Sequence, residues 1–186
     1  MRKNIVRSRK LSVFTVDWVD MYFRRMVQVA DKLLAGCLIV LMTTMVLTVT
    51  WQVVSRLVLN NPSSITEEAA QFLLIWIGML GGVYAYRTKM HLGLDIVVNR
   101  LKPLYRLWAD IISTLIVAAF AIIVMGVGGY WLVLLNWQTE QISAALQIEM
   151  AYVNFVLPLS GALIAFYAFV FIVESVVQYR KNRKVH

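Results

Sequence analysis

The chain has 186 residues, of which 60% are hydrophobic and 15% charged, with a formal net charge of +8. Its mean hydropathy of +0.71 exceeds what a soluble domain of this size can bury, so the composition points to an integral membrane protein. The single cysteine, Cys37, excludes an intrachain disulfide.

Residues 11–32 have the pattern of an amphipathic helix. Asp17, Asp20, Arg24, Gln28 and Asp31 recur three or four apart, and Phe14, Trp18, Tyr22 and Val29 fill much of the rest. Such a helix suits the cytoplasmic membrane interface, with a plain cytoplasmic extension of the first span as the alternative. Four apolar runs then follow, each long enough to cross a bilayer: 33–54, 69–86, 107–135 and 152–177. The third and fourth exceed that need and predict tilt or extension beyond the membrane. The first run starts late and is too long for a signal-peptide core, so no cleaved leader is expected. The fold class read from these runs is an all-α integral membrane protein: four transmembrane helices plus an N-terminal amphipathic interfacial helix. Residues 1–32 form the interfacial segment, 33–177 the four-helix domain and 178–186 a basic tail.

Orientation follows from Lys and Arg. Of the eighteen, eight precede the first span, five lie between spans two and three, and four are in the tail. Only Arg56 lies in the first outer loop, and the second has none. Both termini are therefore expected in the cytoplasm. The basic surplus explains topology and contact with anionic membrane lipids, and calls for no nucleic acid. Tyr86, Tyr105, Trp108 and Tyr179 suit an inner aromatic belt. Trp51, Tyr130, Trp131 and Trp137 suit an outer one.

An ionisable group deep in a span is costly and usually functional. Here Asp110 and Glu174 sit near the predicted cytoplasmic ends, and the span centres carry no charge. A proton-coupled exporter needs an embedded acid, and the first span instead has Thr43, Thr44, Thr48 and Thr50. A membrane cytochrome needs histidines within spans, and neither His91 nor His186 lies in one. His91 and Asp95 stand four apart, but zinc sites use three or more protein ligands, so the pair reads as ordering its loop. No catalytic, metal or cofactor site is expected, and no enzymatic activity.

Small residues offer packing. Gly78 and Gly82 form a small-xxx-small pair in span two, beside Trp76. Pro158 and Gly161 lie early in span four. Such positions serve either this helix bundle or another membrane subunit. The stretch "SSITEE" predicts a capping box, with Ser64 as the cap and Glu67 reaching back to it. Glu68 is left over, and Arg56 is close enough in sequence to pair with either acid. An outer-face clasp of Arg56, Ser64, Glu67 and Glu68 is the expectation. In the second outer loop Gln138, Glu140 and Glu149 have no Lys or Arg beside them, and the resemblance described next implies that they are candidates for docking a soluble partner.

The run "WQVVSRLVLNNPSSITEEAAQFLLIWIGMLGGVYAYRTKMHLGLD" is similar to the signature half of the small membrane subunit of TRAP transporters, the DctQ-like proteins. The matching features are Trp51-Gln52, Arg56, Pro62, Thr66-Glu67-Glu68, Trp76, residues 81–85, and the cytoplasmic-loop motif Arg87, His91 and Asp95. "ISAALQIEMAYVNFVLPLSGAL" resembles the family's entry to the last span, and the likeness covers roughly residues 35–175. The chain departs at Ile65 and Gln71, where the family often has tryptophan and arginine. The resemblance implies a noncatalytic subunit in the bacterial inner membrane. Its implied partners are a large multi-span subunit that moves organic acids with sodium and a soluble periplasmic binding protein. The small subunit would brace the large one. Two other readings stay open on the residues: a self-contained oligomeric transporter or channel, and a membrane assembly factor.

Overall fold

The computed structural model describes the backbone of residues 2–58, 63–88 and 103–183, and the side chains of residues 25–58, 63–88 and 108–175. Every regular element among them is helical. Helix α1 spans Arg2–Leu57 and α2 spans Ser64–Arg87. The third rod is built of α3 (Pro103–Phe120), a π-helical segment (Ala121–Gly128) and α4 (Gly129–Gln138). Short α5 (Met150–Asn154) leads into α6 (Val156–Arg183). Four stretches are long and apolar enough to cross a membrane: Arg25–Leu57, Ser64–Arg87, Trp108–Gln138 and Met150–Ser175. The protein is an all-α, multi-pass membrane protein. The amphipathic stretch 11–32 is helical as part of α1, with no separate element.

The chain divides into two units, Met1–Ile39 and Val40–His186. In the first, Val27 and Leu34 are buried on α1, and Asp31 and Leu38 are half-buried. These positions recur at spacings of four, three and four. In the second unit, Leu41, Met45, Thr48, Gln52 and Ser55 are the covered positions of α1, and the rest of its surface is exposed.

The centre of the second unit is α6. Tyr167, Ala168, Val170, Val156 and Ser160 are almost fully buried on it. The π segment, α3 and α2 pack around it, and Leu80, Val83 and Ala121 complete the core. The rods close to backbone contact at two points. A Cβ placed on Gly161 would lie 2.8 Å from the Ala121 carbonyl oxygen, and one on Gly129 would lie 2.9 Å from Cδ of Pro158. These are the positions where only glycine allows the approach.

Pro158 also explains why α5 and α6 are two helices. It has no N–H to donate to the Asn154 carbonyl, and its ring crowds that oxygen. The helical run breaks there, between Asn154 and Val156.

Candidate functional site at the acidic end of the bundle

Helix α2 begins one residue earlier in its capping register than "SSITEE" suggested. Ser63 is the N-cap, with extended backbone (φ −89°, ψ 105°), and its side chain makes no capping hydrogen bond. Ser64 is the first helical residue and is exposed. The Thr66 hydroxyl donates to the Ser63 carbonyl at 2.9 Å. The expected Ser64–Glu67 capping box is therefore absent: Ser64 lies inside the helix, where its hydroxyl no longer faces the free N–H groups of the first turn. Glu67 remains in that turn, exposed, where a negative charge suits the positive end of the helix dipole.

Glu68 points elsewhere. Its carboxylate accepts backbone N–H bonds from Ala144 (3.1 Å), Ala145 (2.8 Å) and Leu146 (2.7 Å). Three successive amides converging on one anion make a nest, and hydrogen bonds to a charged acceptor are the strong kind. No ion pair joins Arg56 to Glu67 or Glu68 among the described residues, and Arg56 is exposed. The expected clasp between the first two spans is replaced by one between the start of span two and the loop joining spans three and four.

That loop is ordered from both ends. At the end of α4 the Glu140 N–H bonds the Trp137 carbonyl and the Gln141 N–H bonds the Asn136 carbonyl, a Schellman closure. Glu140 takes the left-handed position of that motif, with φ 47°, where glycine is the usual occupant. Next, Ile142 and Glu149 form an antiparallel bridge. It is flanked by bonds from Ser143 N–H to the Ile148 carbonyl and from Met150 N–H to the Gln141 carbonyl, both 2.9 Å. The buried Ser143 hydroxyl accepts the Ile148 N–H, and the Gln147 side-chain amide donates to the Ala144 carbonyl. The hairpin does not use the N–H groups of residues 144–146 internally, and Glu68 takes them. Buried or crowded backbone needs such a partner, and here it comes from another span.

The result is a fixed surface. Gln138, Glu140 and Glu149 are all exposed on it, together with Trp137, Ile142, Ile148 and Tyr152. Trp137 and Tyr152 meet edge to face at 6.1 Å, tying α4 to α5. No Lys or Arg lies between residues 138 and 150.

At the opposite end of α2, the Arg87 guanidinium lies over the rings of Tyr167 (5.7 Å) and Phe171 (5.6 Å). Tyr86 packs edge-on to Phe171 at 5.4 Å. Arg87 is thus held against the bundle by cation–π contact. His91 and Asp95, its expected companions, lie outside the described residues. Of the packing residues, Pro158 and Gly161 face the third rod. Trp76 is half-buried. Gly78 and Gly82 are exposed, and a Cβ on either would meet nothing within 4 Å.

The Glu68 contact was not readable beforehand because its partners are main-chain amides 76 to 78 residues away. The available signal was Ala144-Ala145 in "ISAALQIE", whose short side chains let the turn come close to a carboxylate.

A Haemophilus influenzae protein described as a putative TRAP transporter small permease is 34% identical over 80 residues, 43% of this chain and 50% of that one. The sialic acid TRAP transporter small permease of Vibrio cholerae is 25% identical over 131 residues, covering 68% of this chain and 71% of that one. The C4-dicarboxylate TRAP transporter small permease of Rhodobacter capsulatus is 27% identical over 100 residues, 54% of this chain and 44% of that one. The chain thus spans about half the length of the first of these relatives and less than half of the third. Residues 45–178, from the last quarter of α1 to near the end of α6, match the family of tripartite ATP-independent periplasmic transporters, DctQ component, and the chain belongs to that family.

Proposed function

We propose that this chain is the noncatalytic small membrane subunit of an organic-acid TRAP transporter, bracing a large multi-span subunit and helping to dock a soluble periplasmic binding protein. The observation that carries this reading is a bundle with uncharged span centres and an uncovered glycine-bearing face on α2. A subunit that carried the substrate or a coupling ion would need polar groups at depth. The named substrates of the relatives, sialic acid and C4-dicarboxylates, support an organic acid. Family likeness also supports sodium as the driving ion. The Lys and Arg distribution supports an inner-membrane orientation with cytoplasmic termini, so that residues 139–149 face the periplasm.

The channel alternative would need a polar pore, which the threonines of span one were the candidates to line. The hydroxyls of Thr44, Thr48 and Thr50 each donate to a carbonyl four residues back in their own helix, at 2.7 to 2.9 Å. That local pairing is how a hydroxyl is satisfied in an apolar setting, and it argues against the pore.

The test is reconstitution. Liposomes holding this chain alone should take up no organic acid when binding protein and a sodium gradient are supplied. Liposomes holding it with its large subunit should. Uptake by the isolated chain would sink the proposal.

Docking has its own test. Exposed acids that lack basic neighbours attract a partner with a basic patch, and such steering acts mainly on the encounter rate. Reversing Glu140 and Glu149 together to lysine should raise the binding-protein concentration needed for half-maximal uptake by roughly tenfold at low salt. Added salt should shrink the difference. Lysine at 140 keeps the backbone cost of the left-handed position unchanged, so the comparison reads charge. Identical uptake curves for parent and variant would remove the loop from the docking surface.

A further inference from the structure

We infer that Glu68 is a positioning residue for that docking surface: by holding the N–H groups of Ala144, Ala145 and Leu146, its carboxylate sets the 139–149 loop in the shape that meets a soluble partner. The inference rests on the docking reading above.

Three features of the loop lead to it. The loop has two residues in left-handed backbone, Glu140 (φ 47°) and Gln147 (φ 55°), neither of them glycine. Such positions are strained and persist only where surrounding contacts impose them. The loop's own hydrogen bonds close its base, through the Ile142–Glu149 bridge, and leave its tip amides to an outside acceptor. That acceptor is on α2, a span that belongs to another part of the sequence and is itself packed on α6. Glu68 therefore refers the loop tip to the bundle, where the bridge alone would refer it only to the ends of α4 and α5. Glu140 and Glu149 flank the held segment on both sides and are exposed.

A carboxylate is needed for this. Its two oxygens take three N–H bonds, one on Oε1 and two on Oε2. A glutamine can present one oxygen, but its amide nitrogen then faces an N–H donor. Glu68→Gln is close in size, so it removes acceptor capacity while changing little else.

The experiment uses the complete transporter with its binding protein. Glu68→Gln is compared with the parent for yield of the assembled complex, for amide hydrogen exchange in the segment containing residues 144–146, and for uptake as a function of binding-protein concentration. The expected result is unchanged yield, exchange at least about tenfold faster, and a rise of several-fold in the half-saturating concentration with the maximal rate preserved. A merely structural role would lower yield or maximal rate and leave the half-saturating concentration alone, and that result would overturn the inference. So would unchanged exchange. If exchange quickens and the concentration dependence stays put while the Glu140 and Glu149 reversals do shift it, docking stands and positioning by Glu68 falls. If the reversals also have no effect, the docking reading itself has failed and takes the inference with it.

Discussion

Gly161→Val should lower the stability of the isolated chain in detergent by on the order of 1–3 kcal/mol or more, read as the midpoint of thermal unfolding. The cause is backbone. A Cβ at this position would sit 2.8 Å from the Ala121 carbonyl oxygen, 2.9 Å from the Gly126 nitrogen and 2.9 Å from the Met125 Cβ. Two of those three atoms are main chain and cannot rotate aside. They belong to the π-helical segment, which forms the wall that α6 lies against. An apolar groove of about 350 Å³ opens beside this contact, lined by Ile122, Val127, Tyr130, Pro158, Ala162 and Ala165 among others. It gives no relief, because the direction of a Cβ is fixed by the helix backbone and points into the wall. Relief would require α6 to move away, and α6 also carries the buried Tyr167, Ala168 and Val170. Gly129→Val should act similarly through the rigid ring of Pro158, 2.9 Å away. A Gly161→Val chain that melts with its parent would mean that the two rods do not touch here.

The apolar runs were readable because transfer of a span into lipid is decided by residue type alone, whatever the fold around it. The ends were less so. The third and fourth helical stretches long and apolar enough to span, Trp108–Gln138 and Met150–Ser175, lie close to the expected 107–135 and 152–177. The second starts at Ser64, five residues before the apolar run, because Ser, Thr and Glu continue a helix without adding hydropathy. The capping register was off by one residue because Ser63 and Ser64 are equivalent by type. Only the backbone angles separate them.

The candidate site was legible by its composition and not by its pairing. Glu68 stood out as an acid that the helix start did not need. Arg56 was the natural partner by charge, yet the loop amides are the partner by geometry. A main-chain N–H has no letter of its own in a sequence. The glycines show the same limit. Nothing in "GMLGG" or "LSGAL" says which face of a helix is covered. Gly161 turned inward against the π segment, and Gly78 and Gly82 turned outward.

That outward face leads to the second large effect. Gly78→Leu and Gly82→Leu should leave the chain's own melting midpoint intact and cut its copurification with the large subunit proposed above as its partner by tenfold or more, roughly the loss expected when closely approaching helices are forced apart by over 1.4 kcal/mol. Neither residue has an atom within 4 Å of its Cβ position, so the bundle has room for the added side chains. Gln71, Leu74, Ile75, Gly78 and Gly82 are all exposed and recur three or four residues apart, so they line one face of α2. Glycine in a helix interior costs about 0.5–1 kcal/mol relative to alanine. Two on one exposed face, with no described residue within 4 Å of either Cβ position, weaken α2 for no return among the described residues. A neighbouring membrane helix would supply the return, because small residues let two backbones come close where no hydrophobic force drives them together in lipid. Leucine suits lipid as well as glycine does, so a face that meets only lipid would tolerate both variants. Full copurification of the leucine variants would assign this face to lipid and leave the exposed surface of α1 and the exposed side of the third rod as the surfaces to test next.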